Sequence, residues 1–115
     1  ELKDMFNRLV MFFCVIGAFS SWSVQAEDGA PRDAAQIVGE VCVGCHGVDG
    51  NAMVLGAPKL GGQKADYIAK SLMDYKTGIR NNAVMSAFSS ALSAAEMEAL
   101  GKYFEIQDST LSVPK

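Results

Sequence analysis

Residues 42–46 read Cys42-Val43-Gly44-Cys45-His46, and this C-x-x-C-H stretch governs the interpretation of the rest of the chain. The spacing is the attachment signature of c-type haem, in which the two thiols form thioethers with the cofactor and the adjacent histidine ligates its iron. His46 is the only histidine among the 115 residues. The motif therefore predicts one haem c, held covalently through Cys42 and Cys45 and ligated by His46.

Two other uses of a closely spaced cysteine pair stay open. A structural zinc site takes four ligands from Cys and His, and after residue 26 the chain offers only Cys42, Cys45 and His46, so zinc would need a carboxylate as well. A disulfide or a thioredoxin-like redox pair would suit an exported chain, but the thioredoxin fold requires strands in a βαβ arrangement. Because we find no such strand pattern, haem is the favoured interpretation.

A haem iron bound by one histidine needs a sixth ligand, and methionine is a common one because its soft thioether raises the reduction potential. The methionines that follow residue 26 are Met53, Met73, Met85 and Met97. Met97 falls on the apolar face of a helix that Ser93 and Glu96 would start with a capping box. Met73 falls within an amphipathic helical pattern over 64–78. Packing roles are therefore favoured for these two.

Met53 and Met85 both fall in segments that lack a helical pattern, so both remain candidates for the sixth ligand. Met53 comes only seven residues after His46, and it would have to cross to the opposite haem face over a short loop. A haem sandwiched between two ligands favours ligands that are far apart in sequence. Met85 is therefore preferred over Met53.

An uncharged segment, 9–26, precedes this region. Its short apolar core follows a cation and ends on a small-x-Ala site, which predicts a secretory signal peptide cleaved after Ala26. An uncleaved membrane anchor is the alternative, although polar residues dilute the second half of a segment already short for a bilayer span. We expect a signal peptide or N-terminal anchor over 1–26, one domain over 27–115, and a periplasmic or membrane-anchored location.

Helical periodicity without any strand pattern predicts an all-α domain. Apolar spacing predicts helices over about 33–45, 64–78 and 93–106, a glycine-rich loop over 47–62 and a frayed tail from 108 onward. So few short helices cannot bury a sufficient core in a domain of this size. We therefore expect the covalently held haem to fill the centre of the domain.

Further pieces of sequence surround the motif in a recognisable order. They are 42–50, 57–63 with Ala57-Pro58-Lys59-Leu60-Gly61-Gly62-Gln63, then Tyr67, Leu72, 75–80, 82–85 and 92–103. Together they cover nearly all of residues 33–106 and resemble the class I cytochromes c. The resemblance is to the short bacterial kind represented by cytochrome c-553 and to each half of the dihaem periplasmic cytochromes c. One motif and no internal repeat imply a monohaem unit with the class I fold.

The resemblance also implies roles for individual side chains. His46 would be the proximal ligand and Met85 the distal one, so these two residues would bind the metal. The carbonyl of Pro58 would accept a hydrogen bond from Nδ1 of His46 and so fix the ring. Gly39 would let the first helix approach the last helix closely near Tyr103. Candidates for contact with the haem propionates are Arg80, Gln63 and Tyr67.

An iron with both axial positions filled has no place for a substrate, so we expect single-electron transfer between redox proteins and no enzymatic activity. A tightly bound haem subunit of a larger dehydrogenase or membrane oxidoreductase is the alternative. A ligand sensor or peroxidase-like protein would instead need a weak or absent sixth ligand.

The charge of the chain bears on its partners. With 13 acidic and 10 basic side chains its net charge is −3, whereas a nucleic-acid-binding protein needs a basic stripe to neutralise phosphates. We therefore expect no nucleic acid, and at least one redox partner with a basic contact surface. Membrane contact is expected only through a retained N-terminal segment or a membrane-bound partner.

Overall fold

The computed structural model describes residues 29–110, and within that range the chain forms four helices and no strand. Helix α1 consists of an α-helical turn Ala34–Ile37, a π-helical stretch Val38–Cys42 and a second α-helical turn Val43–His46. The remaining helices are α2 (Ala65–Thr77), α3 (Ala83–Ser90) and α4 (Ala94–Glu105). The all-α prediction is confirmed. The predicted leader, 1–26, lies outside the described residues.

Three helices begin and end close to where the sequence pattern predicts. The capping box of α4 is present, because Ser93 Oγ accepts from the Glu96 N–H at 3.2 Å while the Glu96 carboxylate accepts from the Ser93 N–H at 2.8 Å. Helix α2 ends at Gly78, whose φ of 78° is a left-handed conformation that glycine adopts without steric cost. Local capping signals therefore located these ends correctly.

Helix α3 was not predicted from the sequence. The prediction that Met85 lies in an irregular segment is therefore wrong. The helix has eight residues, several of them small, so its apolar pattern is too short to recognise. Its start is defined by Asn82, whose side-chain oxygen accepts from the N–H groups of Val84 and Met85 at 3.1 and 3.0 Å. This cap satisfies two free donors of the first turn.

The buried core is small and centres on α4. Helix α4 packs against α2 and against the first turn of α1, and α3 packs against α2. The buried apolar residues are Ile37, Val38, Ile68, Leu92, Met97, Leu100 and Phe104. A core of this size agrees with the expectation that the domain needs a cofactor at its centre.

A close approach between α2 and α4 is made at Gly101, which corrects the role expected for Gly39. A methyl group on Gly101 would overlap the carbonyl oxygen of Ala65 and lie 3.0 Å from its carbonyl carbon, so α2 and α4 can pack this closely only because position 101 has no side chain. A methyl group on Gly39 would meet nothing within 4 Å, and Gly39 is exposed. Gly39 therefore does not mediate a helix contact in the described structure.

A salt bridge ties the segment before α1 to the start of α4. Arg32 Nε lies 2.8 Å from Glu96 Oε1, and the same oxygen accepts from the Arg32 backbone N–H at 3.3 Å. Glu96 is 6% exposed, so its carboxylate is shielded from water. The Arg32 side chain and the Ser93 N–H lower the pKa of Glu96 from 4.5 to about 2.

We expect this carboxylate to make stability fall in acid. A group whose pKa is lowered by folding stabilises the folded state above its unfolded pKa and loses that contribution as the pH falls through its folded pKa, here between about 5 and 2. Glu96→Gln should cost about 2 kcal/mol at pH 7, and progressively less toward pH 2. Urea unfolding at several pH values measures this. The exposed Glu98→Gln is the matched control, and an equal loss in Glu96→Gln at pH 7 and in acid would contradict the prediction.

Among the residues that the structure describes, none of the helices combines the length and the hydrophobicity needed to cross a bilayer.

Candidate functional site

A cavity of about 540 Å³ lies between the helices and the loop that joins α1 to α2. This volume is typical of sites for cofactors and small ligands. Most of its wall is apolar and includes Ile37, Val41, Ile68, Leu72, Leu100 and Phe104. Buried core residues and two partly buried neighbours, Val41 and Leu72, therefore enclose a space suited to a large apolar group.

The end of α1 places the C-x-x-C-H motif at this cavity, which Cys42, Cys45 and His46 all line. Both cysteines are free thiols, so the structure contains no disulfide between them. Burial raises the pKa of the Cys42 thiol and disfavours the thiolate that a zinc site requires. Within residues 29–110, no group of three Cys, His, Asp or Glu side chains is arranged to hold a metal. The described geometry thus lends no support to the zinc or disulfide interpretations.

His46 is oriented by the loop that joins α1 to α2. The side chain is 7% exposed, and its Nδ1 lies 2.9 Å from the carbonyl oxygen of Pro58. A carbonyl oxygen only accepts hydrogen bonds, so Nδ1 carries the proton and Nε2 of the neutral ring keeps its lone pair. That lone pair is the one a metal would use, and the contact matches the one that the resemblance implies for Pro58.

Met85 is the methionine that the fold brings to the cavity. It lines the cavity from the first turn of α3, with its backbone N–H held by Asn82. The other three described methionines do not line the cavity. Met97 is 1% exposed and lies in the core, whereas Met53 and Met73 are 74% and 36% exposed. Met73, expected to pack inside, is therefore on the surface.

This donor set fits a c-type haem. An imidazole nitrogen with a free lone pair and a thioether sulfur are donors that haem iron accepts. Two thiols beside the histidine supply the attachment points, and the apolar wall suits a macrocycle. The fold brings these groups together from α1, α3 and the loop between α1 and α2.

The three residues expected near the haem propionates also line the cavity, namely Gln63, Tyr67 and Arg80. The guanidinium of Arg80 donates to Ser71 Oγ at 3.1 Å and lies 5.0 Å above the ring of Tyr75, and both contacts restrict its position. Lys59 is a further cation on the cavity wall, and no motif in the sequence indicates a role for it. The charged lining is thus positive, although the whole chain is acidic.

Comparisons with known proteins match the chain to one family model and to several relatives. Residues 29–104 match the family model described as cytochrome c oxidase, cbb3-type, subunit III. The chain is 37% identical over 99 residues to the thiosulfate dehydrogenase electron acceptor of Thiomonas intermedia, covering 84% of this chain and 43% of the relative. It is 38% identical over 82 residues to cytochrome c4 of Thiocapsa roseopersicina, covering 71% and 42%. It is 35% identical over 99 residues to cytochrome c-553 of Nitratidesulfovibrio vulgaris, covering 83% and 91%.

These relatives are of two kinds, which differ in how much of their length the chain covers. The chain spans less than half the length of the first two and nearly all of the third. This agrees with the expected similarity to a short single-unit protein and to one half of a two-unit protein.

Proposed function

The chain belongs to the c-type cytochrome family, whose members transfer electrons through covalently bound haem c, and on this premise we propose that it is a periplasmic monohaem carrier shuttling single electrons between redox proteins. One observation carries the proposal. His46, Met85 and both thiols of the attachment motif line the same apolar cavity. When bound there, the haem supplies an iron that cycles between Fe(II) and Fe(III).

The residues of the chain would hold and tune this group. Cys42 and Cys45 would attach it, while Nε2 of His46 and the sulfur of Met85 would take the two axial positions. The Pro58 carbonyl keeps the His46 ring in one tautomer and orientation. The apolar wall would shield the haem from water and so help to set its reduction potential. With His46 and Met85 as its ligands, the iron would have no free position for a substrate, which supports a carrier that is not an enzyme by itself.

The proposed partners are redox proteins that dock transiently at this site. One relative is named as the electron acceptor of thiosulfate dehydrogenase, so we propose a dehydrogenase of that kind as an electron donor to this chain. The net charge of −3 favours a basic contact surface on at least one partner.

A tightly bound haem subunit is the second candidate. It is favoured by the matched family model, which is described as a subunit of an oxidase. Size-exclusion chromatography of the protein from its native cells separates the two cases. A carrier elutes at the mass of the single chain in the soluble fraction, whereas a subunit co-elutes with a larger assembly.

Mass spectrometry of the chain exported by a host that attaches haem c tests the proposal directly. We expect the mass of one haem on a chain that has lost residues 1–26, and Cys42→Ala or Cys45→Ala should leave at most one thioether. Carbon monoxide should not bind quickly to the reduced protein if Met85 is the sixth ligand of the iron. A chain without haem refutes the proposal, and rapid carbon monoxide binding would indicate a ligand sensor instead.

A further inference from the structure

The chain that follows α4 lies across the loop that carries Pro58. We define residues 107–110 as the C-terminal strap. Just before the strap, the Phe104 carbonyl accepts from the Gly62 N–H at 2.9 Å. Within it, the Asp108 carbonyl accepts from Asn51 Nδ2 at 3.0 Å, and the Thr110 hydroxyl accepts from Lys59 Nζ at 2.6 Å. The strap is therefore hydrogen-bonded to the loop at positions on both sides of Pro58.

Asn51 is the residue that joins the strap to the loop most completely. Its Nδ2 donates to Asp49 Oδ2 at 2.9 Å and to the Asp108 carbonyl, and its Oδ1 accepts from the Thr110 N–H at 3.1 Å. The amide thus uses both of its hydrogens and its oxygen. No carboxylate or hydroxyl can reproduce this set of two donated bonds and one accepted bond.

The two ends of the loop are also closed onto each other beneath the strap. The Gly50 carbonyl accepts from the N–H groups of Leu60 and Gly61 at 2.7 and 3.1 Å. A methyl group on Gly61 would lie 2.7 Å from the Asp49 carbonyl oxygen and 3.0 Å from the Asp108 carbonyl oxygen. The two ends of the loop and the strap therefore form one packed layer. Pro58 lies two residues before Leu60, where the chain enters this layer.

We propose that Asn51 is a positioning residue: by fastening the C-terminal strap over the loop it holds the Pro58 carbonyl against Nδ1 of His46, and so sets the reduction potential of the haem. This inference rests on the proposed function. A strong hydrogen bond from Nδ1 makes Nε2 a better electron donor, which stabilises Fe(III) and lowers the potential. A looser loop should weaken that bond and raise the potential.

The attachment of the loop to α1 does not depend on the Asn51 side chain. The Ala52 N–H donates to the His46 carbonyl at 2.7 Å, and the Met53 N–H donates to the Cys45 carbonyl at 2.9 Å. These backbone bonds remain when the amide is removed. Asn51→Ala should therefore loosen the strap and the Pro58 end of the loop while leaving the haem-attachment motif in place.

The test compares haem-loaded Asn51→Ala with Ser93→Ala, which removes the helix cap of α4, leaves the loop unchanged and carries the same net charge. The first measurement is the reduction potential. The second is the exchange rate of the His46 Nδ1 proton in the reduced protein, followed by NMR. We expect Asn51→Ala to raise the potential and to speed exchange by about tenfold, because several hydrogen bonds of the loop are lost. Ser93→Ala should lower the unfolding midpoint without either change.

The outcomes separate the inference from the proposed function. If Asn51→Ala matches Ser93→Ala in potential and in proton exchange, Asn51 has a structural role only and the inference is wrong. If the unaltered chain carries no haem with histidine and methionine ligands, the proposed function fails first. Should Asn51→Ala not fold, Asn51→Ser keeps one polar group at the position. Asn51→Ser should then raise the potential and speed proton exchange less than is expected for Asn51→Ala. The absence of both changes would overturn the inference.

Discussion

Replacing Gly101 with alanine should destabilise the domain by about 3 kcal/mol, the upper end of the usual cost of overpacking a core. The added methyl group would overlap the Ala65 carbonyl oxygen and lie 3.0 and 3.1 Å from the carbonyl carbon and Cα of Ala65. All three are backbone atoms, so no side chain can rotate away, and α4 must shift from α2. That shift would open the core where Leu100 and Phe104 are buried.

Gly39→Ala is the matched control, because Gly39 is also helical but has open space around its Cα. Alanine there should stabilise the protein by about 0.5–1 kcal/mol, since glycine within a helix costs more conformational entropy. Urea unfolding of both haem-loaded variants measures the difference. If Gly101→Ala is as stable as the unaltered protein, the close approach of α2 and α4 does not constrain position 101.

Met85→Ala should have the largest effect on the electronic properties of the site. Removing the thioether takes away the proposed sixth ligand, so the sulfur-to-iron charge-transfer band of the Fe(III) form should disappear. The reduction potential should fall, because the soft sulfur that favours Fe(II) is gone. The reduced protein should also gain rapid carbon monoxide binding at the vacated position.

Met53→Ala and Met73→Ala are the matched controls for this change, because neither residue lines the cavity. Both variants should keep the charge-transfer band and the potential of the unaltered protein. Visible absorption spectra and a redox titration of all three variants give the answer. A band that persists in Met85→Ala and vanishes in Met53→Ala would assign the sixth ligand to the other methionine that the sequence left open.

The haem site shows where prediction from sequence works well. C-x-x-C-H lies within about one helical turn, so its chemistry follows from residue order alone. The choice of Met85 over Met53 as the sixth ligand was argued from chain separation, and it stays a prediction. The Asn82 cap starts a helix there that carries Met85 to the cavity wall.

Residue order alone predicts those features whose parts are neighbours along the chain. They are the attachment motif, the Ser93–Glu96 capping box and the helical class of the domain. Only the tertiary structure showed that Gly101, and not Gly39, lies at a helix contact, and that Asn51 joins the loop to the C-terminal strap. The two kinds of feature differ in the sequence separation over which their interactions act. Capping and motif spacing act within a few residues, whereas steric contact and the partners of a side-chain amide depend on segments that only folding brings together.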